Sequence, residues 1–500
     1  MTITTRSRSI RMSVLASLLL VGALAPAVSA SSPQGKPDIP ELDWADCGDG
    51  FECATAAVPR DHQRARQGTI DLALIRHPAV DPANRIGTLF LAHPLGTLDF
   101  VRTAPPGTFE LLAQFDVVGF DGRGTGPTAI NCGIDEELLS PFDSNSTRPG
   151  QVDKAAMVAA AREYARRCEA AAGDLLPFMS TAAMASDLDL LRAAVGDQQL
   201  TYIGISQGTD IGATYATMFP GRMRAMVFDA PVDPAGWRDR PLETFLEQDV
   251  SYEQELDRFF VACATRQDSC GFGGDDPERA YDDLLDRLDA QPIPSSDPAQ
   301  PGPVDGDDVR TATFEMMFDP ARWQRLADAL IAADGGDGAA IQTIADGATD
   351  NELSLDTFVA NHAVSARYPH DVDEYVANIE HRYRLLDHFW AVDAFVDMVA
   401  RFWPARSADR FVRDFENPPS APTILVIGGT HDPATPYQWA EHMVGDLGNA
   451  RLFTYESDGH GAINDGNPCV LVPIIQYLTD PAQLPAEGAS CAQTTEPFGG

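Results

Sequence analysis

Basic residues are scarce in this chain: 36 Lys and Arg stand against 74 Asp and Glu, a formal net charge of −38 over 500 residues. Phosphate binding needs a basic stripe and none is visible, which excludes nucleic acid as a partner. The CxxC and HExxH patterns are both missing, so structural zinc sites and the zinc-peptidase motif have no residues to build on. No residue pattern implies a cofactor or a metal. Past the N-terminus no apolar run is long enough to span a bilayer. The acidity itself reads as a solvated surface and says little about substrate.

What is present begins with an export signal. Arg6, Arg8 and Arg11 precede an apolar run from Met12 to Leu24, and Val28-Ser29-Ala30 places small residues where signal peptidase cuts. The run is shorter than the ~20 residues a membrane anchor needs, and Pro26 interrupts it, so residues 1–30 are expected to be removed and the protein secreted, with no membrane insertion. Eight cysteines in an exported chain read as disulfides. Proximity suggests Cys47 with Cys53, Cys132 with Cys168, Cys263 with Cys270 and Cys469 with Cys491.

Short apolar or alternating runs at Thr69 to Arg76, Ile86 to Ala92, Phe115 to Asp121, Gln199 to Ile205 and Arg224 to Asp229 suit strands. Helical patterns lie at Asp153 to Ala172, Ala182 to Val195 and Gly208 to Met218. Such alternation implies an α/β domain on a mostly parallel sheet flanked by helices. From Pro234 to Phe415 the pattern is helical without buried strands: Leu242 to Cys263, Pro277 to Leu288, Ala321 to Ala333 and Val372 to Val399. A Pro/Asp/Gly-rich stretch, Gln291 to Asp308, reads as a surface loop. The alternation resumes at Thr423 to Gly428 (strand), Tyr437 to Leu447 (helix), Arg451 to Glu456 (strand) and Cys469 to Leu478 (helix). The expected organisation is a signal peptide (1–30), an α/β core in two parts (31–233 and 416–500) and a large helical cap (234–415) inserted before the last strands.

A serine hydroxyl needs a base to take its proton and donors to hold the oxyanion that forms. Gly204-Ile205-Ser206-Gln207-Gly208 falls between a strand and a helix, where a strained turn projects Ser206 above the sheet edge. The acid and the base are then expected after late strands, in that order. Asp432 lies in Gly429-Thr430-His431-Asp432-Pro433, and His460 in Ser457-Asp458-Gly459-His460-Gly461. Asp458 is a rival acid only two residues from the base, and His431 reads as structural. The oxyanion hole is expected from the backbone N–H groups of Gln207 and of Gly96, in the loop Ala92-His93-Pro94-Leu95-Gly96-Thr97.

These segments resemble the secreted tripeptidyl-aminopeptidase branch of the proline-iminopeptidase-like serine peptidases, within the α/β-hydrolase superfamily. The resemblance runs over nearly the whole mature chain: Leu42-Asp43-Trp44 to Cys53, Phe115-Asp116-Val117-Val118-Gly119-Phe120-Asp121-Gly122-Arg123-Gly124, the Ser206 pentapeptide, Val227 to Pro234, and Pro422 to Cys491. It implies an exopeptidase that releases short peptides from free N-termini, with Asp432 and His460 at the family's acid and base positions. Two departures stand out. The family usually carries Asn-Pro-Gly-Gly-Pro-Gly where this chain has His93-Pro94-Leu95-Gly96-Thr97-Leu98, and commonly Tyr where it has Gln207. Bulkier residues in that loop either reshape the acyl pocket or weaken the hole, and one lost donor costs roughly 2.7–4 kcal/mol.

Three readings follow. The first is an aminopeptidase acting on peptides, whose substrate ammonium needs an anion; Glu243, Glu247, Asp249, Glu253 and Glu255 offer themselves, although the plainer reading of these positions is a solvated helix face. The second is an esterase acting on small esters with the same residues, since the fold does not fix the acyl group. The third is a hydrolase-like binding protein with little turnover. Oligomeric state is not legible.

Overall fold

The computed structural model describes residues 37–93, 97–299, 302–349 and 352–499. The expected signal peptide lies outside the described residues, as does Gly96. Residues Lys36–Gly500 form one compact unit, and among the described residues no helix is long and apolar enough to cross a membrane.

In chain order the strands are β1 (Ala45–Gly48), β2 (Phe51–Pro59), β3 (Thr69–His77), β4 (Gly87–Ala92), β5 (Phe115–Phe120), β6 (Leu200–Ile205), β7 (Met223–Asp229), β8 (Ile293–Pro294), β9 (Pro303–Val304), β10 (Ile424–His431), β11 (Ala450–Asp458) and β12 (Ser490–Ala492). All but β8 and β9 join one sheet in the order β1-β2-β3-β5-β4-β6-β7-β10-β11-β12. β1 to β3 pair antiparallel, β3 meets β5 antiparallel, and every later pairing is parallel. β4 and β6 are buried at every position, as runs covered on both faces by helices must be.

The order fixes where chemistry can happen. From β4 the chain moves one way to β5, then returns past β4 to β6 and continues outward through β7, β10 and β11. The direction of winding therefore switches between β4 and β6, and in open α/β sheets the crevice beyond the carboxyl ends at such a switch is the binding place. Ala92 and Gly204 are paired across that switch, so His93 and Ser206 leave the sheet side by side.

Helices expected at Asp153 to Ala172 and Ala182 to Val195 form as Lys154–Ala172 and Thr181–Ala194. Asp153 and Ser180 sit just outside them and accept the orphan first-turn N–H groups. Apolar clusters fill both faces of the sheet. The helical cap lies between β7 and β10 with its own core around Tyr252, Phe259, Tyr281, Trp323 and Leu330.

Three expectations about the inserted region need correction. Val372 to Val399 is two helices, Val372–Tyr383 and Ala394–Arg401; the intervening turn brings His388 onto Glu253 and Asp282. The stretch from Gln291 to Asp308 is more than a loop: β8 and β9 pair within it, Val304 is buried, and Asp305 caps a helix over Gly306–Met316. The short β8–β9 ladder also places one buried strand residue, Val304, in a region expected to hold no buried strand. The four suggested cysteine pairs are all bonded: Cys47–Cys53, Cys132–Cys168, Cys263–Cys270 and Cys469–Cys491.

Candidate active site

Ser206 follows β6 with φ 54°, a left-handed conformation that a residue with a Cβ adopts only under constraint. Its N–H donates to the Asp229 carbonyl at 3.0 Å, and its own carbonyl receives Thr209 Oγ1 at 2.6 Å. The flanking glycines are required by close approach. A Cβ on Gly208 would lie 2.3 Å from the Ala92 carbonyl oxygen, and one on Gly204 2.6 Å from that of Gly208. The helix Gly208–Met218 thus starts in contact with the end of β4, directly beneath the switch point. Among the described residues no acceptor takes the Gln207 N–H.

Asp432 and His460 are brought together from the loops after β10 and β11. His460 Nδ1 lies 2.8 Å and 2.9 Å from the two Asp432 carboxylate oxygens. Asp432 is fully buried and also accepts from Ala434 N (3.0 Å), Thr435 N (2.8 Å), Thr435 Oγ1 (3.0 Å) and Gly461 N (3.3 Å). So many donors hold the carboxylate rigid and leave Nδ1 as the proton-bearing nitrogen of the imidazole. Burial pulls the His460 pKa down, but the charge and hydrogen bond of Asp432, with Asp229 nearby, outweigh it and hold it above the ordinary histidine value. The imidazole N–H side is thereby committed, and Nε2 is left as the basic atom.

The rivals are placed elsewhere. Asp458 pairs with Arg258 at 2.5 Å and faces His431 at 3.5 Å, not His460. His431 is 44 % exposed and bonded to Thr430 Oγ1 at 3.1 Å. His93 stacks on Phe100 with ring centroids 4.6 Å apart, and burial together with the proximity of His460 drives its pKa down to about 4. It is therefore a neutral imidazole just beyond the end of β4.

Sequence reasoning missed Asp229. This last residue of β7 is buried, its carboxylate accepts from Ala462 N (3.1 Å) and Ile463 N (2.9 Å), and its carbonyl holds Ser206 N–H. Burial pushes its pKa up to about 6. One residue thus ties the serine turn to the loop that follows His460; an aspartate ending an apolar strand run was the available signal.

The acidic positions on the Pro241–Thr265 helix do not form a solvated face. Of the five positions named above only Glu243 is well exposed, and Asp257 is exposed farther along the helix. Glu247 accepts Trp439 Nε1 at 2.8 Å, Asp249 is buried 3.2 Å from Arg382, Glu253 takes His388, and Glu255 is buried against Gly459. The helix is wrapped by cap and core together, so its charges meet partners instead of water. One group of metal-type ligands converges among the described residues, Cys132, Cys168 and Asp356, and its two sulfurs are committed to a disulfide.

Comparison with known proteins gives a consistent picture. The family described as TAP-like protein matches residues 390–491. Serine protease Hip1 of Mycobacterium tuberculosis is 30% identical, over 95% of each chain. A Mycobacterium tuberculosis protein named carboxylesterase B is also 30% identical, over 96% of this chain and 95% of its own. The tripeptidyl aminopeptidase of Streptomyces lividans is 27% identical over 91% and 87%. With this sheet and these relatives spanning almost its whole length, the chain belongs to the tripeptidyl-aminopeptidase-like family of α/β-hydrolase-fold serine hydrolases.

Proposed function

We propose that this protein is a secreted serine peptidase that releases short peptides, of the tripeptidyl type, from free N-termini. Ser206 is the nucleophile, His460 the base and Asp432 the acid that orients it. The observation that carries this reading is the bidentate seat of His460 Nδ1 on a buried, fully hydrogen-bonded Asp432, on the same sheet edge as a serine held at positive φ. In the acylation step Ser206 Oγ attacks the scissile carbonyl while Nε2 of His460 takes its proton and then passes it to the leaving amine. Asp432 stabilises the imidazolium that forms between the two transfers. Water then hydrolyses the acyl-enzyme by the same route. The Gln207 N–H and that of Gly96 are the proposed oxyanion donors. The helical cap, residues 234–415, closes over this edge, and secretion is supported by the four disulfides.

A second reading, an esterase with the same three residues, is favoured by the relative named carboxylesterase B and by the divergent residues at His93 to Leu98. The two are separated by expressing residues 31–500 and offering tripeptide anilides with free and with blocked N-termini beside short-chain aryl esters, with Ser206→Ala as control. Turnover confined to free-N-terminus peptides is the expected result. Turnover of esters alone moves the assignment to esterase, and failure of a fluorophosphonate to label Ser206 removes the serine-hydrolase mechanism altogether.

A further inference from the structure

The Pro241–Thr265 helix turns one stripe, spaced by three or four residues, toward the two loops that carry Asp432 and His460. Gln248 Nε2 donates to the Ala434 carbonyl, and Ser251 Oγ donates to the Asp432 carbonyl at 2.8 Å. Further along, Glu255 Oε1 accepts the Gly459 N–H at 2.9 Å, and Arg258 Nε donates to Asp458 at 2.5 Å. The acid loop is gripped by the first two residues and the base loop by the last two.

Glu255 is the costly member of this stripe. It is fully buried, and its second oxygen, Oε2, has no hydrogen-bond partner among the described residues and lies 3.8 Å from Arg258 Nε. An apolar residue would fill a helix position facing a core more cheaply. What the carboxyl supplies is one acceptor for one N–H, that of the residue before His460. The rest of the loop has the same character. A Cβ on Gly459, which sits at φ +81°, would lie 2.5 Å from Pro320 Cδ. The His460 N–H donates to the Phe318 carbonyl at 2.8 Å, and the Phe318 ring meets the imidazole edge-on at 5.5 Å. Three consecutive residues, Asp458, Gly459 and His460, are thus each held by a different residue of the inserted cap.

We propose that Glu255 is a positioning residue for the base: by fixing the Gly459 N–H from the cap it sets the angle at which His460 meets Asp432, so that the cap is part of the machinery and not only a cover. This rests on the reading of His460 as base. Its consequence is kinetic. A loop freed by a fraction of an ångström leaves substrate binding alone and slows proton transfer, and misplacement near 1 Å costs about 100-fold.

The test uses the full mature protein and two readouts, the second-order rate of fluorophosphonate labelling at Ser206 and the kcat and KM for whichever substrate the wild type turns over. Glu255→Leu, which keeps bulk but has no acceptor, and Glu255→Ala are expected to label and turn over roughly 10- to 100-fold more slowly with KM unchanged. Glu255→Gln, whose amide oxygen accepts the same N–H, is expected to restore the rate. The acid limb of the E255L pH profile is expected to move to lower pH, because a His460 less firmly seated loses part of the Asp432 interaction that raises its pKa; Asp229 and His93 are the other titratable groups acting on it. A folded E255L that labels at the wild-type rate with an unmoved profile overturns the inference. So does an E255Q as slow as E255L, which would assign the effect to charge. A wild type that is not labelled at all overturns the serine-hydrolase reading itself, a different failure from either of these.

Discussion

At the scale of single residues, the pH response of the site follows from the pairing of His460 with Asp432. Burial disfavours the imidazolium, but Asp432 accepts from Nδ1 and Asp229 lies close, and together they raise the His460 pKa above 6.5. A general base works only when neutral. Labelling of Ser206 by a fluorophosphonate is therefore expected to rise with pH through a midpoint above 6.5, and a midpoint at or below 6 would mean that another group limits the reaction. A variant of the acid should differ in kind from that profile. Asp432→Asn keeps the size of the side chain but presents an amide where His460 needs an anion, and the comparable change in a serine peptidase lowers kcat about 10⁴-fold. The structural cost should be smaller, since Ala434 N and Thr435 N still find the remaining amide oxygen. A D432N protein with a native thermal transition and near wild-type turnover would remove Asp432 from the mechanism.

At the scale of elements, the serine turn depends on how closely the Gly208–Met218 helix approaches β4 and β7. Gly208 and Gly212 have no room for a methyl: the first would strike the Ala92 carbonyl and the second the Phe228 ring, each at 2.3 Å. Gly212→Ala is expected to destabilise the fold by about 1–3 kcal/mol, the usual cost of overpacking, with modest effect on rate. Gly208→Ala forces apart β4 and the serine turn themselves, and is expected to lose activity out of proportion to stability; denaturant melts beside labelling rates separate the two. This turn was legible in the sequence because its geometry is local, and so were β3 to β7, β10 and β11, whose apolar runs match their burial; β1, β2 and β12, at the two ends of the sheet and rich in Ala, Cys, Ser and Thr, carry no such run and were not read as strands. The inserted region was less legible for a physical reason. Leu385, Leu386, Phe389 and Trp390 continue a helical apolar rhythm through residues that in fact turn, because Phe389 and Trp390 are buried against neighbours far away in sequence. Likewise nothing local distinguishes Glu255 or Asp249, buried, from Glu243, exposed, on one helix. Their fates are decided by the loops and helices that wrap them.

At the scale of the whole molecule, the strongly acidic chain places carboxylates in its interior in two opposite settings. In the core Asp187 lies between Arg123, at 2.6 Å, and His62, at 2.7 Å; burial opposes its ionisation, but these partners win and hold its pKa below the ordinary value. In the cap one guanidinium, Arg382, faces three buried carboxyls, Asp249, Asp393 and Asp397. One positive charge cannot balance three, and burial pushes Asp397 up to about 7 and Asp249 well up. The linkage has opposite signs. Asp187, depressed in the folded state, contributes stability that is present above its unfolded pKa near 4 and is lost as pH falls through the lower folded value. Asp397, raised in the folded state, contributes stability that is full below about 4 and is lost as pH rises toward 7. Asp187→Asn is therefore expected to lower the thermal transition at pH 7, in keeping with the roughly 3–5 kcal/mol cost of breaking a buried pair. Asp397→Asn has no buried charge to form, and its Tm relative to wild type is expected to climb between pH 5 and pH 8. Calorimetry of the three proteins across that range decides the matter: if the D397N difference stays flat while the D187N deficit persists, the cap carboxyls do not titrate on folding and the cap is held by full ionic pairing instead.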